Sequence, residues 1–593
     1  MADHNSTILA AGETSAANMT YPEQLALMAV ALWNARDFLF LEFRIIFTSL
    51  ACIYIGSHGS LRRPPSANPP NKNKKRGARG QQQHQDRDDQ FVQGLLPSDA
   101  ILFPVMAGIC LVGLYYLIKW LEDPDILNKV LRVYFSTMSL ASMGKLFADT
   151  LHLVTGFIFP TVWRNKDGKV FHIDPSKRGQ WWKASDTATQ VWDDKKKNPL
   201  GGRLSELKFS EKTTALLWEI RHLLLEQWTG RLSICGGIVH EAFKIRFNDI
   251  LGFFLAIAAN VAYYMTESTF LSNIMGYAFS YTGIIIMSPT TFATGTSVLF
   301  GLFFYDIFMV FYTPYMVTVA TKLDVPIKLV FEGPTKSSML GLGDIVLPGI
   351  FVGLSLRFDH YMHYYRQRKL VPVELKTETD GLVTNKKTQS MVVKPDYVNP
   401  QGQWGDWFWS TRLGKILSPD ATPALKASAF RKPYFYASMI GYLVAMIATL
   451  VMLIVFQHAQ PALLYLVPGV TFAVGITGVV RGELREMWAY TEDGSLDTVD
   501  KIVDVDEDGN VFDVVKENKN DGKGQEKNSE EQKKEAEVDA LSDDKEVEKG
   551  ASDKADGKVE ESIPKAEGSK RQWRYPAFLF ALETPAPIEV EDQ

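Results

Sequence analysis

The chain has 593 residues, 46% of them hydrophobic and 22% charged, with a formal net charge of -5 from 63 basic and 68 acidic side chains. Its mean hydropathy of -0.06 reads as soluble only as an average, because long uncharged apolar runs alternate with strongly charged segments. Runs of about 18 or more apolar residues are long enough to cross a bilayer as helices, so a set of purely soluble domains is excluded. Three cysteines, Cys52, Cys110 and Cys235, are too few for a disulfide framework, and two of them sit in apolar runs as small hydrophobes.

In chain order, residues 1–37 show no basic stretch followed by an apolar one, so no cleaved signal peptide is expected. The sequons at Asn5 and Asn18 are usable only on a lumenal tail, where they are glycosylation candidates. Nine candidate spans follow, at 38–55, 101–120, 130–151, 250–264, 270–287, 295–315, 339–356, 437–456 and 463–480; hydropathy alone gives seven to nine, and the number nine leans on the family resemblance given below. The first carries Glu42 and Arg44, and the third carries Arg132, Lys145 and Asp149 with His152 just past its end. The fourth and fifth are short for about 30 Å of hydrocarbon. The sequence thus predicts an all-α polytopic membrane domain over 38–480. Insertions are expected at about 58–97, 160–248 and 357–433, and a mostly disordered charged tail over 481–593. The stretch from Thr213 to Trp228 has apolar positions at helical spacing and is expected to pack on the membrane surface or the bundle. The apolar patch from Trp573 to Phe580 reads as a short docking motif, an interfacial anchor or a loosely associated tail end.

Loop charges set the orientation. The loop after the first span carries Arg62, Arg63, Lys72, Lys74, Lys75, Arg76, Arg79 and Arg87, and basic loops stay in the cytosol. With nine spans, the N-terminus is lumenal and the C-terminus cytosolic.

Two acidic residues stand inside apolar spans. Asp306 lies near the middle of the sixth, roughly 13 Å or more from either end, and Asp344 lies near the start of the seventh. An intramembrane carboxylate is costly, about 2.5–3.5 kcal/mol even on mild insertion scales, and is kept for a purpose. By themselves the two fit a polar contact between helices, an ion or proton pathway, or a protease. Gly341 and Gly343 precede Asp344 and allow close backbone approach, which a protease needs when it receives a locally unwound segment whose amides require partners.

These residues fall into three motifs that resemble the signal peptide peptidase family, the GxGD intramembrane aspartyl proteases related in fold to presenilin. Tyr305-Asp306 matches its YD motif, Gly341-Leu342-Gly343-Asp344 its GLGD motif, and Pro461-Ala462-Leu463 its PAL motif at the head of the last span. A second PAL tripeptide, Pro423-Ala424-Leu425, lies in a soluble stretch and does not fit the pattern. The resemblance implies a presenilin-like nine-helix bundle and residence in the endoplasmic reticulum membrane. It implies cleavage of signal-peptide remnants and other type II membrane segments, with Asp306 and Asp344 catalytic. Tyr305, Gly341, Leu342, Gly343, Pro461, Ala462 and Leu463 would shape the site or meet substrate. Expected partners are transmembrane peptide substrates and the lipid bilayer, with a homo-oligomer or a quality-control complex of the endoplasmic reticulum beyond them, and no nucleic acid. The chain ends in Glu589-Val590-Glu591-Asp592-Gln593 and lacks the dilysine-type retrieval signal of some relatives.

No zinc-ligand spacing, phosphate-binding loop or serine elbow is present, and neither a metal nor a cofactor is expected. A cation or proton transporter using the same aspartates is the alternative, although no internal repeat supports it. A substrate-binding chaperone with an inert aspartate pair is a third reading.

Overall fold

A computed structural model describes residues 36–68, 93–121, 124–183, 189–234, 239–323, 325–333, 337–375, 387–411, 421–456, 460–492, 502–505, 511–515 and 578–583. Within them nine helices have 18 residues or more: α1 (Arg36–Gly59), α2 (Asp99–Leu121), α3 (Pro124–Ile158), α4 (Phe247–Thr266), α5 (Thr269–Ile286), α6 (Phe292–Phe311), α7 (Gly343–Tyr365), α8 (Pro433–Phe456) and α9 (Leu463–Arg481). They stand where the nine spans are expected. Six of them (α1, α2, α4, α6, α8 and α9) are long and apolar enough to cross a membrane by length and composition. The chain is a polytopic helical membrane protein.

The other three long helices are less apolar, and two of them carry charges that meet partners. On α3, Arg132 pairs with Glu267, Lys145 bridges to Asp149 at 3.0 Å, and His152 meets Asp249 at 2.9 Å. The Tyr281 hydroxyl of α5 donates to Asp149 across 2.6 Å. Helix α7 is sheathed by its neighbours, with every residue from Pro348 to Met362 buried. It can therefore carry Arg357, Asp359 and His360, which no lipid-facing helix would tolerate cheaply. By contrast α8 turns Ile440, Val444, Ile447, Val451 and Val455 outward, an exposed apolar stripe at helical spacing suited to acyl chains. Helices α8 and α9 cross closely at Gly441 and Gly469: a Cβ at Gly441 would stand 2.5 Å from the Gly469 carbonyl oxygen, so only glycine fits there.

Fifteen short strands accompany the described helices, none of them expected from the sequence. In chain order they are β1 (Gln93–Leu95), β2 (Val162–Arg164), β3 (Val170–Asp174), β4 (Gly179–Lys183), β5 (Gln190–Trp192), β6 (Gln227–Ile234), β7 (Val239–Arg246), β8 (Met287–Pro289), β9 (Lys328–Glu332), β10 (Ser337–Gly341), β11 (Lys369–Leu375), β12 (Lys387–Val393), β13 (Ile502–Val505), β14 (Val511–Val515) and β15 (Phe578–Glu583). β2 to β5 form an antiparallel meander. The helix Glu211–Leu225 lays Trp218 on it beside Trp163, Phe171 and Ile173. The amphipathic segment thus packs on a sheet as well as against α4 of the bundle, because the insertion builds a small core of its own. β1 pairs in parallel with β8, and β15 adds to the β6–β7 hairpin.

Three boundaries move. The seventh span begins at Gly343 and not 339, since 337–341 pairs with β9, and it runs on to Tyr365, so Arg357 belongs to the helix and not to an insertion. The sixth span stops at Phe311, and Tyr315 opens a separate short helix, Tyr315–Lys322. The packed region also continues past the expected start of the tail, through a helix at Leu484–Ala489, to Tyr490 and Glu492. Glu492 takes hydrogen bonds from Arg62, Ser288 and Arg357. Arg357 in turn donates to Ser60 across 2.7 Å and to Ser288 across 3.0 Å. A charged composition resembling a solvated tail is here a buried network. Asn5 and Asn18, the basic run from Lys72 to Arg87 and tail residues 493–501 and 516–577 lie outside the described residues.

Candidate active site

Asp306 and Asp344 arrive from two helices that enter the site from opposite ends. Helix α6 starts on a Thr291 cap, whose hydroxyl accepts the Thr294 N–H at 3.0 Å, and carries Asp306 to within two turns of its far end, where the residue is buried. Helix α7 starts at Gly343, so Asp344 stands in its first turn with its side chain partly accessible. The two carboxyls lie within electrostatic reach of each other.

The third element is the head of α9. Pro461 and Leu463 are buried, and the Pro461 and Ala462 carbonyls accept N–H groups from Leu464, Tyr465 and Leu466 at 3.1–3.2 Å, forming the first turn. The first N–H groups of a helix have no partner within it. That of Leu463 points at Asp306 and donates to Oδ2 across 3.1 Å. The carboxylate therefore caps a helix from another part of the chain, and the dipole of α9 favours negative charge at that spot. Proline suits the position because it has no N–H to leave unsatisfied.

The β9–β10 hairpin delivers the backbone to Asp344. Its register pairs Gly341 with Lys328 and Ser337 with Glu332. The Leu342 N–H then donates to the Ile327 carbonyl at 3.1 Å, and the chain turns directly into α7. A Cβ at Gly341 would stand 3.3 Å from Asp344 Oδ2, so a larger residue would press on the carboxyl. Leu342 packs against the bundle core and Gly343 is exposed. The charges of α1 serve the same hairpin: Ser338 donates to Glu42 across 2.7 Å, and Arg44 lies 5.5 Å from the centre of the Phe331 ring.

Tyr305 is half-buried and faces α2, its ring 3.7 Å from a Cβ built on Gly108. One residue is about 100° of helix, so this is a different side of α6 from the Asp306–Leu463 contact. Sequence reasoning missed Tyr442 of α8, fully buried, whose hydroxyl donates to the Asp344 carbonyl across 3.3 Å. A hydroxyl-bearing ring amid the aliphatic residues of α8 was the available signal. Between α2, α6 and α7 lies a small apolar cavity of about 30 Å³, lined among others by Phe103, Val298, Leu299, Leu347 and Phe351. Leu347 is one helical turn from Asp344 and Leu299 two from Asp306, on the faces that carry the acids. Among the described residues no cluster of three or more His, Cys, Asp or Glu is placed to hold a metal ion.

Known proteins resemble the chain over part of its length. It is 32% identical over 275 residues to intramembrane protease 2 of Caenorhabditis elegans, covering 44% of this chain and 47% of that one. It is 32% identical over 281 residues to a probable intramembrane protease of Schizosaccharomyces pombe, covering 46% and 76%. It is 31% identical over 257 residues to mouse signal peptide peptidase, covering 42% and 51%. The chain thus spans about half the length of the nematode and mouse relatives. A family description, signal peptide peptidase, matches residues 87–494, which include both aspartates, the hairpin, the head of α9, Arg357 and Glu492. The chain belongs to the signal peptide peptidase family.

Proposed function

We propose that the protein is an intramembrane aspartyl endopeptidase in which Asp306 and Asp344 act as a pair sharing one proton. The observation that carries the reading is the convergence of two carboxyls from α6 and α7 within electrostatic reach, with the Leu463 N–H fixed on one of them. Two neighbouring carboxyls resist double ionisation, so one stays charged while the other keeps a proton. The charged partner takes a proton from a water molecule, whose oxygen attacks the scissile carbonyl. The protonated partner donates to the oxygen that gains charge, and collapse of the tetrahedral species returns a proton to the leaving amine. The proton belongs to the pair, so neither residue is assigned acid or base. Leu463 holds Asp306 in orientation, Tyr442 holds the backbone of Asp344, and Gly341 leaves room for its carboxyl.

The substrate is a transmembrane segment of type II orientation, such as a signal-peptide remnant, in the endoplasmic reticulum membrane, with the N-terminus of the enzyme lumenal. A helix must unwind locally to be cut, and its freed amides need partners. The β9–β10 hairpin, ending three residues before Asp344, supports this step because it supplies extended backbone at that point. The test is cleavage of a model transmembrane peptide by the purified full-length protein, with and without an aspartyl transition-state analogue. Loss of cleavage with the analogue is expected. Cleavage that ignores the analogue but stops with a chelator would overturn the reading.

A further inference from the structure

The β6–β7 hairpin rises from the start of α4, and β7 continues into that helix without a break. Its last residue, Arg246, donates its backbone N–H to Asp249 across 2.7 Å, which caps α4. β6 pairs with β7 over all eight of its residues. A two-stranded hairpin is marginally stable in water, and its outer edge presents a row of unpaired N–H and C=O groups. Here that edge is covered by a segment from far along the sequence. β15 lies antiparallel to β6 in continuous register, from Phe578 opposite Ile234 to Glu583 opposite Thr229. Arg231 Nη2 reaches Glu583 Oε2 at 3.2 Å, an exposed pair that fixes register more than it adds stability. Leu582 keeps 48% of its surface in solvent, so the strand is held chiefly by its backbone and not by a core.

We propose that the outer edge of β6 is a binding site for an extended peptide, and that residues 578–583 are its tethered occupant. The chemistry of recognition is strand addition: main-chain hydrogen bonds to β6, apolar residues along the segment, and a carboxylate in register to meet Arg231. Residues 516–577 separate the strand from β14, which joins the sheet of β11 to β13. That length reaches about 200 Å when extended, so the connection does not itself force the strand onto this edge. What keeps it there is local pairing, favoured by the tether, which makes the association intramolecular. The site is therefore closed in the resting chain and opens when the tail strand leaves. It stands apart from the aspartate pair, so its test is independent of the catalytic reading.

The probe is a fluorescent peptide of residues 574–586, titrated against the full-length protein in detergent. The wild type should bind it at least tenfold more weakly than a chain carrying Phe580→Pro and Ala581→Pro. Those prolines expel the tail strand, because one of any two adjacent N–H groups faces β6. The same peptide with both prolines should fail to bind either chain. Equal affinity for wild type and variant, or binding of the proline peptide, would overturn the proposal. A second measurement does not depend on the proline variant folding. Thr229→Cys with Glu583→Cys places two thiols on directly opposed positions, and oxidation should give an intrachain crosslink that lowers peptide binding further. A crosslink between chains in its place would show that the resident strand comes from a second copy and would sink the tethered-occupant assignment.

Discussion

The backbone N–H of Leu463 donates to the Asp306 carboxylate across 3.1 Å, joining the head of the last membrane helix to the acid in the sixth. The contact gives the PAL tripeptide a physical task. Pro461 and Ala462 build the first helical turn, and the third residue offers the amide that the turn leaves free. The family's YD and PAL motifs thereby meet at one hydrogen bond.

If the two acids work as a unit, losing either removes nearly all catalysis. Asp306→Ala and Asp344→Ala should each lower peptide cleavage by about 10³-fold or more, with thermal unfolding still cooperative. Substantial turnover in either variant would end the pair assignment.

Tyr442→Phe removes one donor from the Asp344 carbonyl while keeping the ring in its fully buried place. The expected cost is about 0.5–1.5 kcal/mol of stability, with kcat falling up to about tenfold and KM nearly unchanged. A rise in KM alone would mean that Tyr442 meets substrate and does not position the acid.

Glu492 neutralises Arg62 and the deeply buried Arg357, so Glu492→Ala should destabilise the bundle by about 3–5 kcal/mol, as breaking a buried ion pair does. Truncation after Asp500 spares that network and should leave membrane insertion and cleavage largely intact. Thermal melts of the two proteins decide the matter, and an unstable truncation with a stable Glu492 variant would reverse the assignment.

Lys432 lies just before α8, its ammonium 3.0 Å from His58 Nε2, and burial pulls its pKa down from 10.5 to about 8. Between those values the unfolded chain holds a proton that the folded chain has released, so stability rises with pH from about 8 to 10.5 and is flat below. Lys432→Met should flatten the rise. Melting midpoints across pH 7 to 10.5 test it, and a midpoint that falls through this window in the wild type, with no difference in the variant, counts against it.

Substrate orientation follows from direction. A peptide strand binds beside enzyme backbone in one sense, because hydrogen-bond partners and pockets do not superpose on reversal. One transmembrane segment in two versions, with flanking charges swapped to invert its insertion, should be cut only in the type II form, and residues such as Gly or Asn that ease unwinding should speed the cut. Equal cleavage of both would remove the argument.

The nine long helices were legible, six of them as apolar runs of bilayer length that have few other uses, and the two aspartates stood out because carboxylates in such runs are rare. What stayed hidden depended on pairing that no single segment reveals. Nothing local in Ser337–Gly341 announces a strand, since its partner lies across a turn and its role is to aim Asp344. Arg357 and Glu492 read as loop and tail because charge is normally a mark of solvent, and only their mutual burial reverses that meaning. Tyr442 looked like one more aromatic in an apolar span.

Helix α7 is held at both ends. The hairpin fixes it at Gly343, and the arginine–glutamate network grips it at Arg357, about 20 Å further along the axis. A rod pinned twice and enclosed between its pins can neither slide nor roll without breaking buried polar contacts. Room for an incoming segment must then come from helices that still border lipid, such as α2, whose Ile101, Val105 and Ile109 face outward. On the proposed reading Asp344 is the stationary jaw, and the helices that yield to a substrate are the ones that set how fast it is admitted.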